Sequence, residues 1–188
     1  MKILIGAAGS LGDTLPFVAL GRALQQRGHQ VHLFASDSYA GHAAGLPFTP
    51  VSSVAETEAL LRDPRVTDPR KGMALIAEAF ATTLPRAFEA MRAEVVPGHT
   101  LAVGSTLSFA TRLLKDALGM PAATLHLAPS VFRSVHAPPH LGPNNTLAKL
   151  PPGLQRAAWW LVDRLMLDRR FTRPFNAYRR QLGLAPVD

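Results

Sequence analysis

The sequence predicts an α/β protein, a parallel sheet with helices on both faces. Three observations carry this. Short apolar segments alternate with longer segments of helical periodicity from the first residues onward. The first apolar segment, Lys2–Gly6, runs directly into a loop carrying Gly6, Gly9 and Gly12. Hydrophobic residues make up 47% of 188 residues, enough to build the core of one domain, or one domain with an extension.

The elements follow in order. Lys2–Gly6 reads as a buried strand ended by glycine. Asp13–Arg27 is helical, with Leu15, Val18, Ala19, Ala23 and Leu24 predicted to share a face and Gly28 to stop it. Gln30–Ala35 is a second strand, Ser38–Ala44 a short helix and Phe48–Val51 a third strand. The polar stretch Ala55–Arg70 holds two Asp-Pro steps, Asp63-Pro64 and Asp68-Pro69, and is predicted to be a loop. Gly72–Glu94 is a long helix bent at Pro85. Thr100–Gly104 and Ala122–Leu127 are the fourth and fifth strands, with a helix over Leu107–Leu118 closed by Gly119. Ala128–Pro152 reads as irregular, and Gly153–Leu182 as two helical pieces broken near Pro174. The expected organisation is a Rossmann-like domain over residues 1–152, with a helical extension over 153–188 packing on it.

Composition narrows the function. Cysteine is absent, which removes disulfides and thiolate chemistry and fits a reducing cytoplasm. The apolar run at Met1–Gly6 is too short for a signal peptide, and no stretch approaches the ~20 apolar residues of a membrane span. The net charge of +7 is uneven. Residues 1–152 carry 13 Lys/Arg against 10 Asp/Glu, and residues 153–188 carry 7 Arg against 3 Asp, so +4 of the excess sits in the last fifth. A solvated Arg-rich helix surface and a surface for an anionic partner both fit. Nucleic acid does not, because no binding motif or basic stretch interleaved with aromatics is present.

In an open parallel sheet ligands gather beyond the carboxyl ends of the strands, so the loop after the first strand is the first place to seek chemistry. Its spacing, Gly-x-x-Gly-x-x-Gly, is a poor match to the dinucleotide fingerprint Gly-x-Gly-x-x-Gly. Asp13 also stands at the start of the first helix, where it would repel a pyrophosphate. Two readings of Asp13 stay open and are compatible. It is a helix cap, or it is a carboxylate at the mouth of the sheet that accepts a proton from a bound hydroxyl.

The stretch Gly9-Ser10-Leu11-Gly12-Asp13, continuing through Pro16 to Leu20-Gly21-Arg22-Ala23-Leu24 and Arg27-Gly28-His29-Gln30-Val31, resembles the opening of bacterial glycosyltransferases of the GT-B fold. These share an N-terminal domain with sterol glucosyltransferases, glycolipid rhamnosyltransferases and antibiotic glycosyltransferases. Asp63-Pro64-Arg65, Val103-Gly104-Ser105, Ala128-Pro129-Ser130, His136-Ala137-Pro138-Pro139, Leu167-Asp168-Arg169 and Asn176-x-x-Arg179-Arg180-x-x-Gly183-Leu184 look closest to the rhamnosyltransferase branch.

The resemblance implies the N-terminal, acceptor-binding half of an inverting enzyme. Such an enzyme moves a hexose from a UDP- or dTDP-sugar to a hydroxyl of a lipid, sterol or natural-product acceptor, in glycolipid or antibiotic biosynthesis. It implies Asp13 as the base. An ordinary aspartate, with a pKa of about 3.9, is a weak base at neutral pH, but it serves if the hydroxyl loses its proton late. Related plant enzymes carry a histidine in this loop, oriented by an aspartate after a later strand; here Gly104-Ser105-Thr106 offers no carboxylate. The family's donor-binding domain has no counterpart in these residues. The chain alone is therefore expected to bind no cofactor, to need that domain in cis or in trans, and to be inactive by itself.

The remaining candidates are acceptor contacts from Ser10, Leu11, Gly12, Ser105, Thr106, His126, Ser130 and His136, with Gly6 and Gly9 shaping the loop. His126 is read either as a buried, hydrogen-bonded histidine or as an acceptor contact, and Ser105 and Thr106 either as caps or as pocket residues. His136 and His140 lack a third ligand at metal spacing, so no metal is expected. The loop Ser130–Gly142 is read as an acceptor-pocket wall. Phe80, Leu84 and Phe88 are read as core or as the lining of an apolar acceptor channel. Trp159 and Trp160, near Arg156 and Arg164, are read as core or as peripheral membrane contact. Asn144-Asn145-Thr146 matches a glycosylation sequon but carries no weight without a sign of secretion. Two other functions remain open. One is a dinucleotide-binding module with Asp37 on a ribose; the other is a non-catalytic docking module.

Overall fold

The computed structural model describes residues 1–68, 71–132, 134–138 and 149–187. Five parallel strands form one sheet in the order β3-β2-β1-β4-β5. They are β1 (Lys2–Gly6), β2 (Gln30–Ser36), β3 (Phe48–Ser52), β4 (Thr100–Ser105) and β5 (Ala122–Leu125). The chain steps outward from β1 to β3, then returns across the sheet to β4. Right-handed crossovers therefore place α1 (Leu11–Gln26) on one face, and α3 (Gly72–Ala93) and α4 (Phe109–Leu118) on the other.

Strand alternation feeds both faces. Ile3, Ile5, Val31, Leu33, Ala35 and Val103 pack under α1 with Phe17 and Val18. Leu4, Phe34 and Ala102 point the other way, into a second core with Phe80, Leu84, Phe88, Leu113 and Leu114. Phe80, Leu84 and Phe88 are buried, and each contributes about 1.5–3 kcal/mol by removal from water.

The α1 helix meets the sheet differently from the expected pattern. Leu15 is 45% exposed, and Ala19 and Ala23 are exposed too. The buried residues are Thr14, Phe17, Val18 and Gly21. A Cβ on Gly21 would lie 2.7 Å from Leu46 Cδ1, so the missing side chain lets the helix lie close on the sheet and sets which face is buried.

The predicted loop over Ala55–Arg70 is a helix, α2 (Val54–Arg62), followed by a 3-10 turn, Pro64–Thr67. Ser53 caps α2 and Glu56 reaches back to it. Asp63 then ends the helix in extended backbone, ψ 124°, as the following proline requires. Pro69 lies outside the described residues. The short helix after β2 is a 3-10 turn, Asp37–His42, and Pro85 sits inside α3. The α4 helix starts two residues later than expected, and β5 ends at Leu125.

No break occurs at Pro174. From α5 (Pro152–Val162) the chain runs through a ten-residue π-helical stretch, Asp163–Thr172, into α6 (Arg173–Gln181). Pro174 stands where the π-helical stretch passes into α6, and Thr172 and Arg173 before it keep helical backbone. Phe171 and Phe175 enter the second core, the Phe171 ring tilted 5.6 Å from Phe80 and the Phe175 ring tilted 5.5 Å from Phe109. Among the described residues no helix is long and apolar enough to cross a membrane.

Candidate functional site

The order in which the chain lays down its parallel strands reverses between β1 and β4, and each of these strands carries a glycine at or next to its carboxyl end. Gly6 and Gly104 are register partners. A Cβ on Gly6 would come within 3.2 Å of Thr111 Cγ2, and one on Gly104 within 2.9 Å of the same atom. The two glycines admit the start of α4 against the strand ends. Under the Gly6–Ala8 backbone lies a cavity of about 50 Å³, bounded by Phe34, Phe80, Thr83, Leu84, Met91 and Phe109 among others. The predicted channel residues Phe80 and Leu84 thus belong to the core and also bound this cavity.

The loop from Ala7 to Asp13 is held at several points. Ala7 N–H still donates to Phe34 O (2.8 Å). Ala8 is held by Ser105, whose buried hydroxyl accepts from Ala8 N–H (2.9 Å) and donates to Ala8 O (3.1 Å). Gly9 then adopts φ +131°, a value that L side chains rarely take. A Cβ there would lie 2.5 Å from Asp13 Oδ2, so only glycine leaves room for the carboxylate.

Ser10, not Asp13, is the N-cap of α1, and Asp13 is its third helical residue. Asp13 Oδ2 accepts from both Ser10 N–H and Ser10 Oγ, each at 2.8 Å. The cap reading therefore holds in this reciprocal form, with the carboxylate reaching back to the capping residue. Asp13 is half-buried, and among the described residues Oδ1 accepts no hydrogen bond and no cation pairs with the carboxylate. Gly12 is exposed, and a Cβ on it would meet only Ser10 Oγ, at 3.6 Å, so packing does not demand glycine there.

Tyr39, which no sequence signal marked, joins the loop from the turn after β2. Its buried hydroxyl donates to Gly9 O at 3.4 Å. Burial, and then the Asp13 charge, push the phenol above its ordinary pKa, so it stays a donor at neutral pH.

The other candidates group less tightly. Thr106 Oγ1 and His126 Nδ1 are 3.1 Å apart at the ends of β4 and β5, and the His126 ring stands edge-on to Phe132 at 5.2 Å. His126 is exposed rather than buried, following the sheet's edge strand, β5. Ser130 lies in the short turn Pro129–Val131. His136 is exposed and borders a separate hollow of about 550 Å³ with Arg156, Trp159 and Trp160, sharing no lining residue with the cavity under Gly6. Trp159 is buried there while Trp160 is 64% exposed. His140, the sequon at Asn144–Thr146 and, of the Ser130–Gly142 wall, residues 133 and 139–142 lie outside the described residues. Among the described residues no three His, Asp or Glu side chains group as a metal site requires.

The family motif near the C-terminus is structural. The Asn176 side-chain amide pairs with both backbone groups of Val187, at 2.7 and 2.9 Å. Arg179, buried, bonds Ala185 O at 2.8 Å and pairs with Asp116 of α4. Together they fold the segment after α6 back onto the helices.

No known family's sequence profile matches the chain. Individual relatives do. Glycosyltransferase GtfC of Amycolatopsis orientalis is 28% identical over 193 residues, covering 100% of this chain and 45% of that protein. Sterol 3-beta-glucosyltransferase UGT80B1 of Arabidopsis thaliana is 28% identical over 210 residues, covering 100% of this chain and 31% of that protein. Among solved structures, the glycosyltransferase SsfS6 of Streptomyces sp. SF2575 shares the fold with a TM-score of 0.58 at 22% identity, covering 100% of this chain and 48% of that one. The chain thus spans less than half the length of these relatives. Over its whole length it is homologous to the N-terminal part of glycosyltransferases of the GT-B fold.

Proposed function

We propose that this chain is the acceptor-binding half of an inverting, nucleotide-sugar-dependent glycosyltransferase, with Asp13 as the general base. The observation that carries the reading is the state of the Asp13 carboxylate. It stands at the switch point of a parallel sheet, Oδ2 is fixed by Ser10, and Oδ1 accepts no hydrogen bond among the described residues. A carboxylate so oriented can take the proton of an acceptor hydroxyl as its oxygen attacks the anomeric carbon. The bond from that carbon to the diphosphate breaks in line, and the nucleoside diphosphate leaves with the electron pair.

The acceptor class, a hydroxyl of a lipid, sterol or natural product, rests on the relatives, one of which is a sterol 3-beta-glucosyltransferase, and not on the cavity under Gly6–Ala8, which at about 50 Å³ is too small to hold one. The donor, a UDP- or dTDP-sugar, belongs to the other half of the enzyme. A structure of SsfS6 contains thymidine diphosphate. The half described here transfers no sugar alone.

The test is Asp13→Asn in the complete enzyme, with transfer from dTDP- or UDP-glucose to a panel of phenols and sterols. The expected loss in kcat is about 10²–10⁴-fold. Unaltered turnover removes Asp13 from the base role. For a lipid acceptor, the exposed Trp160, Leu161 and Leu165 beside Arg164 are the surface that would meet a membrane. Failure of the chain to sediment with anionic vesicles removes that part of the reading.

A further inference from the structure

The geometry points to Ser105 as the residue that positions the Asp13 loop, with Tyr39 as its second support; this rests on the reading of Asp13 as the base. The β1 ladder ends at Gly6, and the Ala7 N–H bond to Phe34 O is the last backbone bond that β1 shares with the sheet. Ala8 has neither a helix nor a strand to hold it. Ser105, 97 residues away in sequence, replaces the missing rung by engaging both the N–H and the C=O of Ala8 with one hydroxyl. That fixes the peptide planes on both sides of Ala8.

Each step then constrains the next. The Ala8 carbonyl sets the entry to Gly9, whose φ of +131° turns the chain. Tyr39 holds the Gly9 carbonyl from the opposite side. The turn aims Ser10 N–H at Asp13 Oδ2, 2.8 Å away. Ser10 follows Gly9 directly, so a rotation of the Ala8–Gly9 unit turns the Ser10 N–H that holds Asp13 Oδ2. Ser105 is 4% exposed and its hydroxyl is already engaged twice, so it acts through this relay and not by touching the acceptor.

A double-mutant cycle on the complete enzyme tests this, with kcat and acceptor KM measured for transfer from dTDP-glucose to a fluorogenic coumarin phenol. Ser105→Ala is expected to lower kcat by about ten- to a hundredfold, the scale of an ångström-sized misplacement, with KM changed less than about twofold. In an Asp13→Asn background the same change is expected to cost nothing further. Ser105→Thr, which keeps the hydroxyl, restores most of kcat, and Tyr39→Phe gives a smaller loss than Ser105→Ala. A raised KM with unaltered kcat, or an equal loss in both backgrounds, overturns the assignment. If Asp13→Asn alone leaves kcat unaltered, the base reading falls separately. Amide exchange at Ala8 then decides whether Ser105 orders the loop. Exchange about tenfold faster in Ser105→Ala, with Leu113 unchanged, upholds the ordering, and unchanged exchange at Ala8 ends it.

Discussion

Two strand-to-helix junctions in this chain carry the same local device and differ in what surrounds it. After β1, Ser10 caps α1 and gives its N–H and hydroxyl to Asp13, three residues on. After β3, Ser53 caps α2 and gives its N–H and hydroxyl to Glu56, at 2.7 and 3.1 Å. Glu56 is also bonded by Arg86 of α3 at 2.7 Å, and that bond, with the Ser53 N–H, brings its pKa down to about 2. Its charge is neutralised and its job is to pin α2. Asp13 has no cation beside it among the described residues, a glycine with positive φ packed against it, and a cavity at the same strand ends. A carboxylate in a capping box becomes chemically available when the cation is left out and when the junction sits at the sheet's switch point.

The largest test of that contrast is Gly9→Ala. The new Cβ would lie 2.5–2.9 Å from three atoms of the Asp13 side chain, on a backbone that an alanine takes only with strain. The expected cost is about 1–3 kcal/mol of stability, read as the shift in thermal midpoint. Turnover of the complete enzyme is expected to fall about a hundredfold as the carboxylate is pushed aside. A variant with full turnover would separate Asp13 from the loop geometry. The junction after β3 has no glycine between Phe48 and Glu56, so it has no counterpart to this sensitivity.

Next in size is a matched pair, Ser10→Ala and Ser53→Ala. Ser53→Ala removes a hydroxyl that accepts from Glu56 N–H and is expected to cost about 0.5–2 kcal/mol of stability, and Ser10→Ala, whose hydroxyl donates to Asp13, less. Only Ser10→Ala is expected to lower kcat, because only there does the hydroxyl steady a reacting group. Equal kinetic effects from the two variants would erase the distinction between the junctions.

Legibility in the sequence followed the same physics. Strands and long helices were readable because they bury alternating or periodic apolar residues, and Gly28 and Gly119 end their helices in positive φ as expected. The α2 helix was not readable by that route, since none of its residues is buried and its polar surface resembles a loop. One signal for it does stand in the sequence, the capping-box spacing Ser53-x-x-Glu56. The buried face of α1 is not legible from apolar periodicity, since a glycine, Gly21, lies on it where a Cβ would meet Leu46, Ile5 and Val31, while larger apolar neighbours such as Leu15 face solvent. The Asp13 loop stood out through its glycines and its family motif. Its supports, Ser105 and Tyr39, reach it across 97 and 30 residues, and no local pattern encodes such contacts.

The smallest expected effect tests the claim that Glu56 is neutralised. Its carboxyl titrates lower in the folded chain than its ordinary value of 4.5, so the unfolded chain binds the proton more readily. The stability from this pairing is therefore complete above about 4.5 and is lost as pH falls toward about 2. Arg86→Ala removes the largest cause of the shift and should bring the Glu56 titration back toward 4.5, as followed by carboxyl NMR. Because both side chains are largely exposed, the stability change at neutral pH is expected to stay below about 1 kcal/mol. Amide exchange at Ser53 should quicken while exchange at Ser10 does not change, since Arg86 bonds Glu56 and, among the described residues, forms no hydrogen bond or ion pair with the first junction. Quickening at both sites would mean that the two capping boxes share one support, and that the Asp13 carboxylate is not independent of the ion pair that silences Glu56.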